Sequence, residues 1–113
     1  MSGASPPADG GGTLRCRAPA VATVQQDDAQ LRVTRWDFAP GAETGWHRHG
    51  WHYVVVPVTD GTLLLELPGG ERVTARLTAG VSYSRPAGVE HNVVNAGDRP
   101  LSFVEIELKG LPG

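Results

Sequence analysis

The chain is predicted to be a single all-β domain, a barrel or two-sheet sandwich. From Thr13 onward its apolar residues fall in short alternating runs, and turn signals interrupt them about every ten residues. No stretch carries the 3.6-residue apolar period of a helix. At 113 residues and 12.0 kDa the chain is large enough to enclose one core and too small for two.

Taken in order, residues 1–12 (MSGASPPADGGG) hold four Gly, two Pro and no large apolar group beyond the initiating Met, so they are expected to form a flexible tail ahead of a domain spanning 13–113. Weak runs precede residue 27. QLRVTRWDF (30–38) alternates and stops at Pro40-Gly41. GWHRH (45–49) follows, and HYVVVPVT (52–59) leads into Asp60-Gly61, a two-residue hairpin signal across which TLLLEL (62–67) is expected to pair back. Pro57 inside that run suggests an edge or a bulge. After Pro68-Gly69-Gly70, ERVTARL (71–77) places Val73, Ala75 and Leu77 on one face and Arg72, Thr74 and Arg76 on the other, which makes it a strand wet on one side. VSYS (81–84), EHNVVN (90–95) and LSFVEIEL (101–108) complete eight to ten strands, the last with Leu101, Phe103, Ile106 and Leu108 among its apolar positions.

Composition narrows the function. Ten basic and twelve acidic residues give a net charge of −2 with no basic stripe, so no nucleic-acid partner is expected. No apolar run approaches the ~18 residues a bilayer requires, and the first dozen residues lack the charged and apolar regions of a signal peptide. A lone Cys16 precludes an internal disulfide and reads as a small buried hydrophobe. A cytoplasmic protein without a membrane partner is expected.

The chemistry lies in TGWHRHGWHY (44–53), where three of the four histidines stand within six residues. On a strand, residues two apart face the same way, so His47 and His49 project together with Cβ atoms ~6–7 Å apart, close enough to converge on one metal ion. Alone, such a pair is more often two surface histidines. The wider frame adds Gly41-x5-His47-x-His49 running on to Gly61, then Gly80-x5-Pro86-x-Gly88-x2-His91-x3-Asn95. These resemble the two signature motifs of the cupin superfamily. The second motif matches at every fixed position, the first at its glycines and both histidines, and the eighteen residues between Gly61 and Gly80 suit the family's spacing.

The resemblance implies a small jelly-roll β-barrel that holds one divalent metal ion per chain through His47, His49 and His91. The family's first motif also carries a glutamate, which would fall here at Tyr53 or Val54, and neither is an acid. His52 shares the face of Val54 if the strand is already regular, so three readings of it stay open: a fourth ligand, an acid/base group beside the ligands, or a bystander on an exposed turn. The motif wording is also similar to that of small cupins associated with β-alanine catabolism, in which an acid is expected where His52 stands.

Imidazole donors suit Fe, Ni, Zn and Cu. Fe(II) is favoured, with Ni, Mn, Zn or Cu as alternatives. An ion held by neutral ligands keeps its full charge and would attract an anionic small molecule. His52 or Tyr53 is a candidate for proton transfer; Arg85, Tyr83 and Trp51 are candidate substrate contacts, Arg85 as a carboxylate clamp. Trp46 and Trp51 otherwise read as packing of wall and lid, and the glycines as backbone devices. Glu43 is a lesser candidate to approach the metal, while Glu90 should point away from His91. The function expected is that of a metal-dependent oxygenase acting on a small carboxylate-containing metabolite, with a lyase, an isomerase or a non-catalytic binding cupin as alternatives. Open sheet edges and the habit of small cupins point to a homodimer.

Overall fold

The computed structural model describes residues 17–110, so the expected tail over 1–12 and Cys16 lie outside the described residues. Within them are nine strands: β1 (Val21–Asp27), β2 (Leu31–Phe38), β3 (His47–Arg48), β4 (His52–Pro57), β5 (Gly61–Glu66), β6 (Arg72–Leu77), β7 (Tyr83–Arg85), β8 (Glu90–Asn95) and β9 (Leu101–Leu108). The one helical piece among the described residues is a 3-10 turn at Pro68–Gly70. No helix there is long and apolar enough to cross a membrane.

The strands form two antiparallel sheets, one ordered β1-β2-β9-β4-β7 and the other β3-β8-β5-β6. The β1–β2 hairpin closes on Asp28, whose carboxylate accepts the backbone N–H groups of Gln30 and Leu31 at 2.8 and 3.1 Å. Between the sheets Phe38, Tyr53, Val55, Leu63, Leu77, Val93, Leu101 and Phe103 make the core. Each comes from the inward parity of its strand, as a two-residue period requires. At ~25 cal/mol per Å2 of apolar surface removed from water, burial of such side chains is worth about 1.5–3 kcal/mol each, and this holds the sheets face to face.

The expected hairpin between β4 and β5 does not form. β4 pairs with β7 and β9, whereas β5 pairs with β6 and β8, so the Asp60-Gly61 turn carries the chain from one sheet to the other. Two features account for this. The carboxylate of Asp60 is taken by the N–H of Ala79 at 2.8 Å, and Gly61 lies so close to Leu101 that any side chain there would collide with it. Pro57 stands at a local edge, paired with Phe103 of β9 on one flank and past the end of β7 on the other, with no bulge there. It ends β4 beyond the last β7 partner, Tyr83 opposite Val55, so its missing N–H deprives no ladder of a bond. Its carbonyl still accepts the N–H of Gly80 at 2.9 Å.

β6 follows the reading at its arginines, which are exposed, and at Leu77, which is buried, whereas Val73 on the same face as Leu77 is exposed near the strand's start. Asn95, the last residue of the second motif, is fully buried and structural. Its amide donates to the carbonyls of Ala39 and Arg99 at 3.3 and 2.8 Å and its oxygen accepts the N–H of Gly97, tying the turn after β8 to the end of β2.

Candidate metal centre

β3 and β8 are registered so that His47 stands directly opposite His91. Cross-strand neighbours on one face have Cβ atoms ~4.5–5.5 Å apart, which makes their imidazoles neighbours across the ladder. His49 follows two residues after His47, and its backbone is held in line by bonds to Val89 and Gly88, each at 2.8 Å. The outcome is a trio. Nε2 of His49 lies 3.1 Å from Nε2 of His47 and 3.2 Å from Nε2 of His91, and the three rings meet edge to face.

These spans test whether one ion fits. Nitrogens ~2.0–2.1 Å from a common ion stand about 3.0 Å apart at a right angle and about 3.4 Å apart at the tetrahedral angle. The observed separations fall between the two, so the trio fits a cation. Protonation agrees. Nδ1 of His47 lies 2.8 Å from the carbonyl of Gly45 and must donate to it, which leaves the Nε2 lone pair facing its partners. Burial first, then the His47 imidazole, pushes His49 down to about 4. Burial, His47, His49 and Arg85, in that order, push His91 down to about 4 as well. Both rings are therefore neutral at neutral pH, the form that binds metal.

The Gly45 carbonyl is aimed by a turn that only glycine adopts easily, at φ +92°. Its N–H is fixed by the side-chain oxygen of buried Asn92 at 3.0 Å. The amide of Asn92 donates in turn to Glu43 and Glu66 at 2.7 and 2.9 Å, and Arg17 bridges the same two carboxylates at 3.1 and 3.0 Å. Glu43 thus belongs to the scaffold behind His47 and is absent from the histidine cluster.

Two acids that the sequence reading passed over face the centre from β9. Glu105 and Glu107 share the inward parity of Leu101 and Phe103, and with His49 they form a second group whose potential ligand atoms all lie within 4.8 Å of one another. An Oε2 of Glu105 is 3.8 Å from Nε2 of His49, and an Oε2 of Glu107 is 3.8 Å from its Nδ1. Burial, reinforced by Glu107 and opposed by a 3.4 Å bond from the Trp36 indole, pushes Glu105 up to about 7. Parity with Leu101 and Phe103 was the available signal; Ile106 and Leu108, apolar but on the other parity, obscured it.

Tyr53 stands where the motif would have its glutamate. It is buried and stacks on His49, ring centroids 3.9 Å apart and planes 21° apart. Burial, then Glu105, raises its phenol above the usual tyrosine range and keeps it protonated. His52 lies outside both groups. In β4 the buried positions are Tyr53, Val55 and Pro57, so His52 and Val54 share the opposite face; His52 is half-buried in the strand opposite Leu108, neither grouped with the ligand histidines nor on an exposed turn. Trp51 is likewise turned from the interior, with Arg32 and Lys109 cations 5.4 and 5.5 Å from its ring centre. Trp46 is half-exposed and donates to Glu90 at 2.6 Å.

Between the sheets runs a cavity of about 260 Å3. His91, Glu105, Tyr53, Tyr83 and Arg85 line it along with apolar groups such as Leu65 and Val93. The Arg85 guanidinium sits 5.4 Å from the Tyr83 ring centre and makes no ion pair with a described residue. A wider, open depression of about 380 Å3 beside the Asp60-Gly61 turn contains no histidine.

A family model described as Cupin domain matches residues 34–107. A curated protein of Pseudomonas aeruginosa, named beta-alanine degradation protein BauB, is 63% identical over 93 residues, which are 82% of this chain and 97% of that protein. Among solved structures, a cupin domain from Bordetella pertussis is 58% identical, with a TM-score of 0.81 over 85% of this chain and 99% of its own. A Klebsiella pneumoniae protein with a double-stranded β-helix domain is 22% identical and overlaps with a TM-score of 0.68 over 88% and 85% of the two chains, a likeness of fold alone.

Proposed function

Because the chain belongs to the cupin family, we propose that it is a metal-dependent cupin enzyme in which His47, His49 and His91 hold one divalent cation, Fe(II) foremost, beside a pocket for a small carboxylate-containing metabolite. The convergence of three Nε2 atoms at 3.1 and 3.2 Å carries this reading. A cavity of about 260 Å3 is below the ~300–1,000 Å3 of clefts that take drug-sized ligands, which favours a compact substrate. The name of the Pseudomonas aeruginosa relative adds β-alanine degradation as the metabolic neighbourhood.

The chain's own groups then divide the work. Arg85, with no carboxylate partner, clamps the substrate carboxylate at the cavity wall. Leu65, Val93 and Phe103 exclude water and strengthen polar contacts within. Tyr83 positions the bound molecule, and Tyr53, kept protonated by burial, is a proton donor beside His49. A bound divalent ion would supply Lewis acidity and, as iron, access to oxygen chemistry. An oxygenase is the reaction class proposed, ahead of a lyase or isomerase.

The assembly proposed is a homodimer. All seven residues of β1 are exposed, including Val21 and Val24, and among the described residues β1 ends its sheet with an unpaired edge.

Elemental analysis of protein purified without an affinity tag, followed by oxygen uptake with β-alanine and other short amino and keto acids, tests the function. One equivalent of metal and substrate-dependent uptake are expected. Metal-loaded protein inert to oxygen across that panel would shift the reading to a lyase, an isomerase or a binding cupin. Full metal retention by His49→Ala would end the metal assignment.

A further inference from the structure

The first motif lacks its acid, yet the space around His49 does not. In the β4–β9 register Glu107 lies directly opposite Tyr53, and Glu105 directly opposite Val55. Tyr53 and Val55 are both buried inward residues, so the two glutamates occupy the same inner face one strand away. They approach different nitrogens of one ring: Glu105 the Nε2 that faces His47 and His91, Glu107 the Nδ1 on the far side.

We propose that Glu105 supplies from β9 the carboxylate that the first motif lacks on β4, making the centre His47, His49, His91 and Glu105, with Glu107 steadying His49 from behind. The proposal rests on the three-histidine reading above and extends it to a ligand outside both signature motifs.

Three observations support it. Glu105 is 9% exposed and lines the cavity, so its charge has little access to water. Among the described residues its one hydrogen bond, from the Trp36 indole, goes to Oε1, and Oε2, the oxygen facing His49, accepts none. A buried carboxylate oxygen without a donor is costly, and coordination is one of the few arrangements that satisfies it. Finally, a 3.8 Å separation from Nε2 of His49 is within about half an ångström of the tetrahedral span between donors on one ion; Glu105 groups with His49 but not with His47 and His91, so joining all three requires its side chain to turn towards them.

Glu107 is the poorer ligand. It faces Nδ1, and it is shared with Arg32 at 3.8 Å. Its position suits the carboxylate–histidine pairing that fixes a ring's tautomer. A carboxylate on the ion would lower its net charge by one, stabilise a higher oxidation state and leave fewer positions open to substrate.

The test is titration of metal-free full-length chain with Co(II), read by calorimetry and by visible absorption, for wild type, Glu105→Gln, Glu105→Asp, Glu107→Gln and His49→Ala. Expected are one site in the wild type, at least roughly tenfold weaker binding with an altered absorption band in Glu105→Gln, an intermediate loss in Glu105→Asp, and a smaller loss with the band retained in Glu107→Gln. Circular dichroism of the metal-free variants separates loss of a ligand from loss of fold; if Glu105→Gln does not fold, the band of Glu105→Asp decides, an unaltered one counting against the proposal. Unchanged affinity and band in folded Glu105→Gln, with binding abolished in His49→Ala, would overturn the role of Glu105 and leave the three histidines standing. A larger effect from Glu107→Gln than from Glu105→Gln would also overturn it. No stoichiometric site in the wild type would remove the histidine reading itself.

Discussion

Tyr53 lies flat against His49, their ring centres 3.9 Å apart, and so backs one imidazole of the trio with an aromatic wall. Tyr53→Ala should cost about 3–5 kcal/mol in urea unfolding and let His49 tilt. Tyr53→Phe retains the stack. It should keep metal affinity within about twofold while lowering turnover if the phenol donates a proton; unchanged turnover would remove Tyr53 from the mechanism.

Metal-free protein should show a marked pH dependence. His49 and His91 are held neutral, with folded values of about 4 against 6.5 unfolded, so the stability they contribute is complete above pH 6.5 and is lost as pH falls towards 4. Glu105 works in the other direction: raised from 4.5 to about 7, it favours the fold most below pH 4.5 and loses that advantage as pH rises through 7. Two histidines outweigh one glutamate, so denaturation in chelator should show stability climbing between pH 4.5 and 6.5 and slipping slightly beyond. A flat profile would contradict the burial of these groups.

The same balance predicts a crossover. In chelator, Glu105→Gln should match the wild type near pH 4.5 and exceed it above pH 7 by on the order of 2–3 kcal/mol, because the variant never has to bury a charge. Urea midpoints at the two pH values measure it.

Asn92 joins the Arg17–Glu43–Glu66 cluster to the Gly45 turn that orients His47. Asn92→Ala leaves the Gly45 N–H and two carboxylates without that donor or acceptor and should destabilise by about 1–3 kcal/mol. Metal affinity should fall as well, by roughly tenfold, since the tautomer of His47 depends on the Gly45 carbonyl. A loss of stability with no change in affinity would limit Asn92 to scaffold.

If β1 is the dimer edge, analytical ultracentrifugation should give twice the chain mass, and Val21→Lys with Val24→Lys should shift it towards monomer with little effect on folding. A monomeric wild type would exclude that assembly.

Local patterns carried much of the fold. β8 and β9 begin and end where the turn signals around Pro86–Gly88 and Ala96–Pro100 place them, because turns are written in neighbouring residues; β8 itself is buried on both faces from His91 to Asn95. The β4–β5 connection was misread for a related reason. Asp60-Gly61 marks a tight reversal, but which sheet β5 joins depends on Leu63 and Leu65 pairing with Asn95 and Val93 about thirty residues away. At the site, spacing paired His47 with His49, and the resemblance to the cupin motifs added His91. Neither could place Glu105 and Glu107, since their nearness to His49 is a product of the β4–β9 register, which no short motif encodes. The alternation that put Leu101 and Phe103 inside also placed the acids there, against the usual exposure of charged side chains.

β9 lies in the middle of its sheet, between β2 and β4, although it is the last of the nine strands in chain order. On the ribosome, the β1–β2 hairpin and β4 therefore wait as separate ribbons with open flanks until residue 108 has emerged, and the two glutamates arrive beside His49 at that same moment. The β3–β8 pairing that sets His47 opposite His91 needs nothing beyond residue 95, so the histidines can meet first, and closing the sheet is the same event that brings the two glutamates beside His49.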